Sequence, residues 1–205
     1  MTTICAAPAS EPRINKAKRT FFIMPLTQSV LKTLFLKAFM RCFLAVEIPK
    51  EIKDKMMRLV AAARASGVPA SFAKPEQMHL TLAFFGEITE ARKDEIARAL
   101  STQPLPSAKI KIASTGFFGS RVYWAGVQSE ELVSLQKKVA DLLHYDEGRP
   151  FSPHITLARL KEGRGSLSPS DEFFGEFAAR ELVLFESVLK SDGAEHRAVA
   201  RFALV

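Results

Sequence analysis

From residue 40 onward the hydrophobic positions follow two periods in turn. Cys42 to Ile48 (CFLAVEI) is a continuous apolar run that stops at Pro49, which predicts a buried strand. Ile52, Met56, Leu59, Val60 and Ala63 then recur at the spacing of one helix face, and Gly67 and Pro69 close that helix. His79 to Phe85 (HLTLAFF) reads as the next strand, ended by Gly86. Thr89 is placed to cap a helix reaching about Leu100, with Glu90 in its electropositive first turn. Lys109 to Ala113 alternates strictly and Arg121 to Val127 is rich in strand formers, so the Phe117–Ser120 turn between them predicts a hairpin. Ser129 caps a third helix with Leu132, Leu135, Val139, Leu142 and Leu143 on one face. Pro150 and Pro153 precede a strand at His154–Leu160; a Gly/Ser-rich loop follows from Gly163 to Ser170. Two last strands fall near Leu182–Leu189 and Ala198–Val205.

Helices and strands are thus mixed, with hairpins between them, and the expected fold class is α+β with largely antiparallel sheets. A helix, a loop and the strand HLTLA recur later as a helix, a loop and HITLA. That repeat predicts two pseudo-symmetric lobes facing each other, with helices on the outside.

Residues 1–39 read differently. They hold six basic residues (Arg13, Lys16, Lys18, Arg19, Lys32 and Lys37) and one acid, Glu11. Thr27, Gln28, Ser29, Lys32 and Lys37 interrupt the apolar run, which argues against a secretory signal and a membrane span. The basic, acid-poor, amphipathic character resembles an organelle transit peptide. Residues 1–39 are expected to be an N-terminal extension, disordered or outside the functional chain, with the working domain at 40–205.

This division changes the meaning of the charge. The chain has 29 basic and 22 acidic residues, a formal net of +7, but removing the +5 of the extension leaves +2 on residues 40–205. A nearly balanced body gives no bulk electrostatic argument for duplex binding. With 205 residues, 47% hydrophobic and 25% charged, the chain is globular and not disordered, and fits one domain or one domain of two lobes. Two cysteines, Cys5 and Cys42, without a CxxC, provide neither a disulfide framework nor a zinc ribbon, and a reducing, cytoplasmic setting is expected.

Two of the four histidines sit in matching pentapeptides, His79-Leu80-Thr81-Leu82-Ala83 and His154-Ile155-Thr156-Leu157-Ala158. On a strand, residues i and i+2 share a face. Each His and its Thr therefore project together, while Leu80 and Leu82, or Ile155 and Leu157, anchor the other face in a core. One such strand per lobe puts two imidazoles and two hydroxyls around a shared cleft. That set suits attack on a phosphodiester: one imidazole takes a proton from water and the other gives one to the leaving alkoxide. The hydroxyls of Thr81 and Thr156 donate to the non-bridging oxygens as charge builds. Neither motif carries a metal-ligand set, so no metal and no cofactor are expected. A lone HxT is usually a solvated strand face; the duplication is what favours function. His144, at a helix end, and His196, in a turn after Gly193, read as structural. Tyr123 and Trp124 read as core or lobe-interface packing, and Phe35, Phe43 and Phe202 as core.

The chain resembles the two-histidine phosphoesterases, and more closely the RNA 2′,3′-cyclic phosphodiesterases, historically called 2′-5′ RNA ligases. The residues that carry the likeness are Met40-Arg41-Cys42-Phe43-Leu44-Ala45-Val46, Met78-His79-Leu80-Thr81-Leu82 with Phe84-Phe85-Gly86-Glu87, Val122-Tyr123-Trp124-Ala125-Gly126-Val127, and Phe151-Ser152-Pro153-His154-Ile155-Thr156-Leu157-Ala158-Arg159. The likeness covers 40–205. It implies a two-lobed fold with the active cleft between the lobes, metal-free hydrolysis of a 2′,3′-cyclic phosphate to a 2′-phosphate, and slow reverse ligation of RNA ends. It also implies His79 as proton donor, His154 as proton acceptor, and Arg159 as a contact to substrate phosphate, for which a guanidinium is suited. Strict alternation from His154 turns position 159 to the opposite face, so that role needs a strand end or a bulge.

The leading expectation is an enzyme acting on an RNA 2′,3′-cyclic phosphate end. A second keeps the chemistry on a small cyclic nucleotide, such as an ADP-ribose cyclic phosphate. A third, of another class, is a non-catalytic RNA-binding module; both histidines and both threonines weigh against it. No stable protein partner and no membrane association are expected, and a monomer is.

Overall fold

The computed structural model describes residues 39–191 and 193–205, so the expectations for the first 38 residues lie outside the described residues. Among the described residues, nine strands form two antiparallel sheets and three α-helices accompany them, an α+β fold. The first sheet contains β1 (Phe39–Glu47), β3 (His79–Thr89), β8 (Glu181–Lys190) and β9 (Gly193–Ala203), in the order β3-β1-β8-β9. The second contains β2 (Ala70–Phe72), β4 (Ala108–Phe118), β5 (Val122–Gln128), β6 (His154–Leu160) and β7 (Phe173–Ala179), in the order β2-β6-β5-β4-β7. The helices are α1 (Lys50–Ala65), α2 (Glu90–Ser101) and α3 (Glu130–Leu143).

The lobes are interwoven. β2 lies in the first half of the chain yet joins the second sheet, and β8 and β9 return to the first. Helix α1 follows β1 but packs against β2, β6 and β7. One core cluster accordingly joins both sheets, from Leu44, Leu80 and Leu184 to Ile52, Ile112, Ile155 and Leu157.

The expected helix caps are present. The Thr89 side chain accepts from the Arg92 N–H and the Ser129 side chain from the Leu132 N–H, each satisfying a first-turn donor. Four strands differ from expectation: β2 was not foreseen, and β3 continues through Gly86 to Thr89. β7 arises from FFGEFAA, which lacks strict alternation, and is fixed by pairing with β4. β9 begins at Gly193, so His196 stands inside a strand opposite Ser187 and not in a turn.

Among the register shifts, three decide which side chains share a face with the motif histidines. Leu44 pairs with Ala83 and Ala45 with Thr81, skipping Leu82. Tyr123 pairs with Ala158 and Trp124 with Thr156, skipping Leu157. Leu184 pairs with Ala200 and Phe185 with Ala198, skipping Val199. Each bulge inverts the alternation beyond it, because two residues of one strand face one of its partner.

Candidate active site

His79 and His154 each open a strand, on β3 and β6, which pack against each other between the sheets. The alternation is as the pentapeptides demand. Leu80, Leu82, Ile155 and Leu157 are buried in the core, while His79, Thr81, His154 and Thr156 are partly buried on the opposite faces. The cross-strand neighbours on those faces are Ala45 for Thr81, Glu47 for His79, Trp124 for Thr156 and Gly126 for His154. A cluster of Phe43, Ala45, Val183 and Phe185 floors the His79 side.

Both imidazoles are anchored in the same way. Nδ1 of His154 donates to the Ser152 carbonyl at 2.8 Å, and the His79 ring hydrogen-bonds the Gln77 backbone. In each case the partner lies two residues before the histidine, which fixes one ring nitrogen and leaves the other for chemistry. Each imidazole also has an aromatic support. Phe43 stacks on His79 at 4.5 Å between centroids, and Phe118 meets His154 edge-on at 4.8 Å.

Burial pushes His79 well below its ordinary value, to about 3; the nearby His196 and Lys53 push the same way, and so, more weakly, does His154. His79 is therefore neutral across the physiological range in the free protein.

Arg159 is exposed and shares a face with His154, because the Leu157 bulge restores its direction; its cross-strand partner is Val122. The bulge required by the alternation argument is present. Trp124 lies on the same face, not in the core. Its indole covers Gly116, where a Cβ would fall 2.4 Å from the ring, and leans on Phe118 at 5.4 Å. Phe43 is buried as expected, but on the His79 face.

The residue that pattern reading missed is His196. Counting back by twos from buried Phe202 puts position 196 on the core side; the Val199 bulge turns it to the His79 side. Its ring stands 5.1 Å from that of His79, with the planes at 90°. His144 is the left-handed C-cap of α3, as a structural reading expects. Among the described residues, no three His, Cys, Asp or Glu side chains converge as a metal-ligand set, and no helix is long and apolar enough to cross a membrane.

The family model described as LigT like Phosphoesterase matches residues 46–127 and again residues 125–194, so each match holds one HxTx strand. The chain is 31% identical over 169 residues to the RNA 2′,3′-cyclic phosphodiesterase of Methanocaldococcus jannaschii, covering 75% of this chain and 95% of that one. It is 33% identical over 168 residues to the protein of the same name from Archaeoglobus fulgidus, covering 75% and 94%. Among solved structures, Escherichia coli LigT in its apo form superposes with a TM-score of 0.73 at 24% identity, covering 82% of this chain and 99% of that one. TT0787 of Thermus thermophilus gives 0.71 at 26% identity, covering 80% and 98%.

Proposed function

Since the chain belongs to the LigT-like phosphoesterase family, we propose that it hydrolyses the 2′,3′-cyclic phosphate end of RNA to a 2′-phosphomonoester. The observation that carries this reading is the pairing of two HxT strands, each with its imidazole pinned by a carbonyl two residues earlier. Water attacks phosphorus and the bond from phosphorus to O3′ breaks. His154 takes the proton of the water through Nε2, since its Nδ1 already donates to Ser152. His79 gives a proton to O3′ as that oxygen leaves. It is neutral in the free protein, so it is loaded only when the anionic phosphodiester lies in the cleft, where an adjacent negative charge favours the imidazolium. Thr81 and Thr156 donate to the non-bridging oxygens, whose charge grows in the transition state. Arg159 holds a flanking phosphate.

With the 2′,3′-cyclic phosphate as electrophile, a 5′-hydroxyl in place of water yields a 2′-5′ linkage by the same proton transfers. All charge movement is assigned to side chains and solvent, so the reaction requires no metal. The domain that performs it is residues 40–205, acting as a monomer. The test is turnover in EDTA of two substrates, an RNA with a 2′,3′-cyclic phosphate end and an ADP-ribose cyclic phosphate, by the wild type, His79→Ala and His154→Ala. Preference for RNA, abolished in both variants, supports the reading. Preference for the small cyclic nucleotide transfers the same chemistry to the other substrate class. Binding of RNA without turnover leaves only the binding-module reading.

A further inference from the structure

His196 takes no part in the proton transfers above, yet it is built into their setting. Its ring meets His79 edge-to-face at 5.1 Å and Phe43 at 4.9 Å, and Phe43 is stacked on His79, so the three rings close a triangle. Gln77 ties the triangle together from behind. Its backbone bonds the His79 ring, and its side-chain Nε2 donates to the Ala194 carbonyl at 3.0 Å, two residues before His196. One residue thus fixes both the anchor of His79 and the strand that carries His196.

The chemistry of His196 is constrained. Its Nδ1 is buried with no hydrogen-bond partner. Protonating both nitrogens would bury an N–H without an acceptor, which is costly. A neutral ring with its proton on Nε2 avoids that cost, and burial favours the neutral form. His196 is therefore poorly suited to carry the proton itself, and its effect must pass through His79.

We propose that His196 is a positioning residue of the active site. With Gln77 and Phe43 it fixes the plane of the His79 imidazole, and it makes protonation of that ring conditional on an anion in the cleft. The groups around His79 agree with this. His196 on β9 helps bury the ring, and Lys53 on α1 and His154 on β6 oppose a positive charge there. β1 contributes Phe43 and the cross-strand Glu47, whose carboxylate is engaged by Arg201, and β8 contributes Phe185. The carboxylate nearest in register is thus already paired, and a bound phosphodiester supplies the missing negative charge. The kinetic half of this proposal rests on the phosphodiester reaction; the structural half does not.

The test follows the His79 ring by NMR titration in the full chain, for the wild type, His196→Ala, His196→Phe and Gln77→Ala. In His196→Ala the midpoint of His79 should rise by about one pH unit, as the ring that helps bury His79 is removed and water enters. His196→Phe should give a smaller rise, because it keeps the ring volume and so keeps water from His79. Inorganic phosphate added to the wild type should raise the midpoint as well. On a dinucleotide 2′,3′-cyclic phosphate, His196→Ala and Gln77→Ala should lower kcat by about tenfold to a hundredfold and change KM less than roughly threefold. His196→Phe should recover most of kcat while its acid limb stays displaced. An unmoved His79 midpoint in His196→Ala, or no response to phosphate, overturns the proposal. So does wild-type kcat in His196→Ala. If no cyclic phosphate is turned over even by the wild type, the reaction reading fails, and the titration still decides the positioning. If His196→Ala does not fold, the Phe and Gln77 variants carry the same comparisons.

Discussion

Phe84 and Arg159 are positional twins: each stands five residues beyond its motif histidine, and each shares that histidine's face because Leu82 or Leu157 has dropped out of register. Without those bulges both would point into the core. In one lobe the position holds an exposed ring with the Arg41 guanidinium 4.9 Å above it; in the other it holds a guanidinium. Both histidine-bearing strands therefore carry a cation on the histidine's face, although the body as a whole is nearly neutral. Local placement achieves what the net charge does not.

Arg159→Ala should lower kcat/KM on an RNA end by about tenfold to a hundredfold, the range of one charge-assisted hydrogen bond of roughly 1.5–3 kcal/mol. On a mononucleotide cyclic phosphate, which has no flanking phosphate, the loss should be smaller. Arg41→Ala, which removes a cation over an exposed ring, should cost about twofold to fivefold. Steady-state kinetics on the two substrates check both. Equal losses on RNA and mononucleotide would assign Arg159 to the reacting phosphate and not to its neighbour.

Replacing either motif histidine removes one proton transfer, worth about 10²–10⁴-fold in rate. Replacing Thr81 or Thr156 with Val removes one donor and should cost less, about 1.5–3 kcal/mol in the transition state. Single-turnover rates of the four variants in EDTA give the ranking. A threonine variant slower than both histidine variants, or a wild type that needs a divalent ion, would break the mechanism. The pH profile of kcat/KM should be a bell whose limbs belong to the coupled pair and not to either residue.

The sequence makes the two HxT strands legible because a same-face pair needs only the two-residue period and a core on the other side. The helix caps at Thr89 and Ser129 are legible for a similar reason, since capping is local. Bulges are another matter. The skipping of Leu82, Leu157 and Val199 depends on how neighbouring strands twist and pair, and no residue type marks it. For Arg159 the expected role itself demanded a bulge, so the bulge could be foreseen. For His196 nothing demanded one, and the expected turn after Gly193 left it outside the last strand altogether. β7 escaped notice because its strand character comes from pairing with β4 rather than from its own pattern.

Gly116 and Trp124 give a test of how the second sheet holds its site. A Cβ at position 116 would lie 2.4 and 2.5 Å from atoms of the indole, so Gly116→Ala must displace the ring. Overpacking of this kind costs about 1–3 kcal/mol. Trp124 is the cross-strand neighbour of Thr156 and leans on Phe118, which in turn supports His154. Urea unfolding should show the loss of stability, and kcat should fall with it. Trp124→Leu in the same background should restore stability, by vacating the space over position 116. Unchanged stability in Gly116→Ala would mean that the indole has another place to rest.

The burial of His79 also predicts how the whole protein responds to acid. Its value is lowered from the ordinary 6.5 to about 3 in the folded state, with burial the leading cause. Protons therefore bind the unfolded chain more readily. The contribution is fully present above about pH 6.5 and is lost progressively as the pH falls toward 3. At 1.36 kcal/mol per unit, the loss from this one group is at most about 4–5 kcal/mol over the whole window, and about 2–3 kcal/mol by pH 4.5. His196 is displaced downward by burial and acts in the same direction. The control is His79→Phe, which keeps a ring against Phe43 and cannot titrate. Urea unfolding of both proteins at pH 7, 5.5 and 4.5 isolates the contribution, since the carboxylates are common to both. The wild type should lose stability faster than the variant over this range, by about 2–3 kcal/mol in total. Parallel losses would mean that His79 is solvated enough to take its proton in the folded state. The account of a ring kept neutral until the phosphate arrives would then have to be given up.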